Sequence, residues 1–123
     1  MKKILMIGLI SLIAVGCMTF SQIEKNKKQI VASDGINEIE ALLIAQNTLL
    51  ESDFKSYDQV IPGKIRQDEA ALQYPDYWFV DYTPAVTSNY PSLLIVIKKL
   101  TGDVFLTKEY WPNVVKDLDW VFK

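Results

Sequence analysis

The chain has 123 residues, half of them hydrophobic, with 13 Lys and Arg against 15 Asp and Glu, and no histidine. That length suits one small domain. The lack of histidine removes Ser–His and Cys–His nucleophiles, histidine general-base chemistry and the usual zinc sets. A net charge of −2 leaves no basic footprint for nucleic acid.

Met1-Lys2-Lys3 is a short basic start. Ile4 to Ile13 follows, apolar except for Gly8 and Ser11, and Ala14-Val15-Gly16-Cys17 closes the run with small residues before a cysteine. This is the layout of a secretory signal. The apolar run is shorter than the roughly 20 residues that a membrane-spanning helix needs. The four residues Ala14-Val15-Gly16-Cys17 resemble the lipobox of bacterial lipoprotein signal peptides, with Ala where Leu is more common. The resemblance implies cleavage before Cys17, diacylglycerol on its thiol and acylation of the new amino group. Cys17 is the single cysteine, so no disulfide competes for its thiol. Met18, not Asp, comes next. In a Gram-negative cell the resemblance then implies the outer membrane, with the domain facing the periplasm. Removal of Lys2 and Lys3 leaves 11 basic residues against 15 acidic ones, a charge of about −4, which argues against electrostatic attraction to anionic lipid.

Residues 1–16 are therefore read as signal peptide, 17–35 as lipidated cysteine and flexible tether, and 36–123 as a single domain. Glu24 to Gln29 is polar and lacks apolar periodicity, and Ser33-Asp34-Gly35 is a turn cluster. Extended at about 3.3 Å per residue, the tether would hold the domain tens of Å from the bilayer.

Residues 38–52 predict a helix. Asn37 is a good N-cap and Glu40 completes a capping box. Ile39, Leu42, Leu43, Leu49 and Leu50 follow helical spacing, beside Ala45, and Gln46 interrupts them. Pro62-Gly63 signals a turn. Lys64 to Leu72 fits a strand or a short helix and is read as a strand, with Gln67-Asp68-Glu69 as a solvated loop or edge. Tyr77 to Tyr82 is a strand by its aromatic and β-branched content. Alternation puts Trp78, Val80 and Tyr82 on one face and Tyr77, Phe79 and Asp81 on the other. Residues 85–91 are a loop. Leu93 to Ile97 is a continuous apolar run that suits a central strand covered on both faces. Thr101-Gly102 turns the chain and Val104 to Thr107 returns beside it. Pro112 fits the first position of a final helix, with Val114, Val115, Leu118, Val121 and Phe122 at helical spacing. The expectation is an α+β domain: an N-terminal helix packed on a small antiparallel sheet of about three or four strands, with a short C-terminal helix.

No local pattern predicts catalysis. Asp76 and Asp81 point to opposite faces of a strand, and Asp117 and Asp119 do not face each other on a helix. Asp103 is a turn residue. No phosphate loop or calcium loop is present. The sequence implies no enzyme, no cofactor and no metal. Its aromatic residues are more informative: Tyr74, Tyr77, Trp78, Phe79, Tyr82, Tyr90, Tyr110 and Trp111 cluster around the strands. Such residues fill small cores and also anchor interfaces. Tyr90, Tyr110 and Trp111 lie in or beside loops, and are the candidates for contact with a protein partner.

The helix with Ala41 and Ala45, the strand Trp78-Phe79-Val80-Asp81-Tyr82, Asn89-Tyr90-Pro91 and the hairpin from Leu94-Ile95-Val96-Ile97 through Thr101-Gly102-Asp103-Val104 resemble two small bacterial α+β families. These are PepSY-type domains and toxin-immunity proteins. Neither resemblance transfers a functional residue. Both imply a binding or inhibitory module: an immunity protein that meets a toxin in the periplasm, or an accessory lipoprotein in envelope assembly.

Overall fold

A computed structural model describes residues 20–54, 57, 63–84, 90–115 and 117–123. The signal peptide, Cys17 and residues 85–89 lie outside the described residues. The architecture is α+β, with helices packed on a four-stranded antiparallel sheet in the order β1-β2-β3-β4. The strands are β1 (Lys64–Ile65), β2 (Tyr77–Tyr82), β3 (Ser92–Lys98) and β4 (Val104–Tyr110). Each strand pairs with its sequence neighbour, so the sheet is a meander.

β3 is buried from Ser92 to Ile97, as its unbroken apolar run requires of a strand covered on both sides. Val80 faces Ile95 and Tyr82 faces Leu93 across the β2–β3 ladder. Gly102 makes the β3–β4 turn with φ 79°, a conformation that side chains resist. Between Val96 and Ile97 the β3–β4 register shifts: Ile97 pairs with Val104, and Val96 pairs with Leu106. This bulge inserts one residue and reverses which face the rest of β4 presents.

One face of the sheet is covered by α2 (Glu38–Leu50). Asn37 caps it: its side-chain oxygen accepts from the Glu40 N–H at 2.8 Å, and Glu40 accepts from the Asn37 N–H at 3.2 Å. Ala41, Ala45 and Leu49, four residues apart, face Val80, Tyr82, Leu93, Ile95 and Ile97. Two alanines in that row bring the helix close to the strands. The predicted apolar stripe is rotated from this one, because small side chains, not the largest, meet the sheet. Ile39 is 69% exposed.

The stretch read as a tether folds instead. Residues 20–29 form a helix, α1, against the side of α2 turned away from the sheet. Amides hold it. The Asn26 amide donates to Gln46 Oε1 and Asn47 Oδ1, each at 2.8 Å, and accepts from Gln22 at 2.8 Å. Asn47 also donates to the Ile23 carbonyl at 3.2 Å. Asn26 is fully buried, and a buried amide needs this many partners. Gln46, read as an interruption of an apolar stripe, is one of them.

The second face is covered without a long helix. The strand expected over 64–72 is two residues long. After it, Asp68 caps a single helical turn, α3 (Glu69–Leu72), by accepting from the Ala71 N–H at 3.2 Å. The expected short C-terminal helix is a 3-10 helix at Asp119–Phe122, preceded by a turn in which Val115 N–H donates to the Trp111 carbonyl at 2.9 Å. Asp117 accepts from the Asp119 N–H at 3.1 Å, a local bond that competes with helix continuation. Ala71, Leu118 and Val121 bury against Phe79, Leu94 and Val96. Around them Phe122 stacks on Tyr74 at 4.4 Å and meets Tyr77 at 5.1 Å between centroids.

Candidate functional site

Two features carry chemistry beyond packing: an exposed aromatic end and a half-buried charged cluster. They meet at Tyr110.

Tyr90 is 74% exposed and Trp111 46% exposed, whereas Tyr110 is only 8% exposed. Tyr110 is therefore not an accessible contact residue, contrary to the sequence expectation. β4 runs past Thr107, where the sequence ends it, to Tyr110, and the bulge sets which face Tyr110 takes. Without it, Tyr110 would share a face with Val104, six residues earlier; with it, Tyr110 turns onto the face of Leu106, Phe79 and Leu118. Ser92 pairs with Tyr110, so Tyr90 and Trp111, which flank that pair, lie at the same end of the sheet. Val114, in the turn after Trp111, is exposed as well. This end sits beside the outer edge of β4, and among the described residues no strand pairs with that edge.

The Tyr110 hydroxyl reaches Asp81 on β2, lying 2.7 and 2.8 Å from the two carboxylate oxygens. It crosses β3 to do so. Ser92, a small residue, pairs with Tyr110 and leaves a path, its hydroxyl instead donating to Thr83 Oγ1 at 3.2 Å. Arg66 Nε lies 3.6 Å from Asp81 Oδ2, and its terminal nitrogen donates to Asp68. The cluster thus ties together the segment after β1, β2 and β4.

Burial raises the Asp81 carboxyl above its ordinary range, while Tyr110 and Arg66 oppose that rise. The Tyr110 phenol is pushed up strongly, first by burial and then by the Asp81 carboxylate. Asp68 is lowered, chiefly by its bond from Arg66. Burial works against the charge on Arg66, but Asp68 and Asp81 outweigh it. A shallow cleft of about 610 Å³ opens beside the cluster, lined by Lys64, Ile65, Arg66, Gln67, Asp68, Asp81 and Thr83. Chemically the group is a closed circuit: both carboxylates are engaged by Arg66, and the phenol is held neutral as a donor to Asp81.

A second cleft, of about 770 Å³, lies at the opposite end of the sheet, between the start of α2 and the β3–β4 turn. Two of its charged groups, Glu40 and Lys99, are engaged. Glu40 accepts from the Val31 and Asn37 N–H groups, and Lys99 Nζ sits 4.2 Å from the centre of the Trp78 ring. Among the described residues no group of three or more Cys, Asp or Glu side chains is arranged to hold a metal ion.

Tyr90 and Trp111 are exposed, as loop positions imply, whereas Arg66 and the role of Asp81 were missed by sequence reasoning. A signal was present: Asp81 is the one charged residue in an otherwise apolar and aromatic strand, on the face it shares with Phe79. A carboxylate there requires a partner. Comparison with protein-family models, with curated proteins and with solved structures finds no match to this chain.

Proposed function

We propose that this chain is a lipid-anchored lipoprotein of the bacterial envelope, cleaved before Cys17 and lipidated there, whose domain acts by binding another protein and not by catalysis. One observation carries the binding reading: Tyr90 and Trp111 stand exposed together at one end of the sheet, beside the outer edge of β4. Aromatic side chains of this kind supply the buried anchors of interfaces, and a sheet edge offers backbone groups to an incoming strand. The closed Arg66–Asp81–Tyr110 circuit supports the non-catalytic side of the proposal. Its sharpest form is an immunity protein that neutralises a toxin in the periplasm.

The test is affinity purification of the lipidated protein from a gentle detergent extract, alongside a Tyr90→Ala/Trp111→Ala variant. The expected result is a partner retained by the wild type and lost from the variant, with palmitate labelling and thermal stability unchanged. A wild-type protein that retains no partner overturns the reading. Deletion of the gene separates its two forms: sensitivity to toxin-producing neighbours marks immunity, and an assembly defect without such sensitivity marks an accessory role.

A further inference from the structure

We infer that the outer side of α1 is a lipid-contact surface, seating the domain directly on an anionic bilayer; this rests on lipidation of Cys17 as proposed above. Three observations converge on it. The first is distance. Cys17 precedes Phe20 by three residues, so whatever path the chain takes, their Cα atoms are at most about 11 Å apart. Because α1 is fixed to α2 by the Asn26 amide network, the slack of a long tether is absent. The lipid must hold the start of α1 close to the membrane surface.

The second is which way α1 faces. Ile23 and Asn26 point inward and are buried. Ser21, Lys25 and Lys28, spaced by four and three, share the opposite side and are exposed. Phe20, 65% exposed, is the first described residue of that helix and lies on the Lys27 flank, seven positions before it.

The third is charge. The mature chain is acidic, but residues 20–29 hold three lysines and one glutamate. Lys27, toward the flank, is bridged to Glu24 and Glu51 at 3.8 and 4.0 Å. Lys25 and Lys28 have no acidic partner within 4.0 Å among the described residues. Two uncompensated cations beside an acyl-anchored cysteine match an anionic headgroup layer. Their methylene stems can lie along the interface while the ammonium groups reach phosphate. The whole-chain charge argued against such contact; its local distribution reverses that argument.

The experiment uses the full lipidated protein in vesicles of phosphatidylcholine, with or without phosphatidylglycerol. Lipid on Cys17 consumes the sole native thiol, so Ser21→Cys and Val114→Cys each give a unique fluorophore position. The Ser21→Cys label should be quenched by a bilayer nitroxide and shielded about tenfold from aqueous iodide in anionic vesicles, an effect that grows with headgroup charge. The Val114→Cys label should stay open to iodide. Adding Lys25→Glu and Lys28→Glu should remove the shielding. If mass spectrometry finds no lipid on Cys17, the anchoring reading fails and takes this inference with it. If lipid is present and the Ser21→Cys label is as open to iodide as Val114→Cys, or is shielded equally on neutral vesicles, the inference alone is overturned.

Discussion

The two faces of the sheet are closed by different means. One is covered by α2, a capped helix that meets the strands through alanine, leucine and isoleucine, with α1 held outside it by neutral amides. The other is covered by one helical turn and a C-terminal 3-10 turn, through aromatic contacts and the charged Arg66–Asp81–Tyr110 circuit. The helical cover draws on local order, because the cap, the helix and its spacing all agree. The aromatic cover draws on tertiary contacts, because none of the described residues after Tyr110 forms a long regular element. The difference separates an amide network that does not titrate from a carboxylate–phenol pair, Asp81 and Tyr110, that does.

Cavity-forming substitutions test whether the irregular cover is as firm as the helical one. Phe79 and Leu49 are both buried, on opposite faces. Phe79→Ala should destabilise the domain by about 3–5 kcal/mol, and Leu49→Ala by about 2–5 kcal/mol, measured as urea midpoints with unchanged slopes. The comparison breaks if Phe79→Ala costs under about 1 kcal/mol, since the second face would then be loosely packed and able to collapse around the loss.

Removing the hydroxyl of Tyr110 sharpens the electrostatic contrast. Tyr110→Phe leaves the ring in place but takes away the Asp81 donor, and should cost about 1–3 kcal/mol. Asn26→Ala, its counterpart on the helical side, strips one partner from Gln46 and from Asn47 and should cost about the same. The pH dependence tells them apart. The Asp81 carboxyl is raised in the folded state, so its favourable contribution is complete below about pH 4 and is lost as pH rises through the raised value. Asp81→Asn should therefore flatten a decline in stability from pH 4 upward. Tyr57, pushed up to about 12 by burial and Glu109, contributes below pH 10, and that contribution disappears as pH rises toward 12. Asn26→Ala should leave the shape of the profile unchanged, and a changed shape would show that the two sides are electrostatically coupled.

What was readable in the sequence follows the same division. Asn37 and Glu40 announced α2, the Leu93–Ile97 run announced a doubly covered strand, and Gly102 announced the turn, because each is a local pattern with one physical solution. α1 left no such trace. Its inward side chains are Ile23 and Asn26, and Asn26 answers to Gln46 and Asn47, some twenty positions away. Tyr110 differs for another reason: a strand expected over Val104 to Thr107 leaves it in a loop, whereas β4 runs on to Tyr110, and the bulge that sets its face has no compositional mark here. Asp68 was read as a solvated residue, since a cap for a single turn cannot be told from a loop without knowing that Arg66 sits beside it.

The smallest predicted effect bears most directly on local order. Asn37→Ala removes the side-chain oxygen that accepts from Glu40 N–H, and should cost about 1 kcal/mol. Asn37→Gly, which keeps the backbone free to adopt the cap conformation, should cost a few tenths of that unit by the same reasoning. Both are read from thermal or urea unfolding, with the Asn26 network intact. Glu40 would still accept from Val31 and from the backbone of residue 37, so the helix start would not unravel and the loss should stay near the value for a single cap. A negligible cost for Asn37→Ala would mean that packing on the sheet alone sets where α2 begins. The helical face would then depend on tertiary contacts as fully as the aromatic face does, and the contrast between them would lie in their chemistry and not in how they are specified.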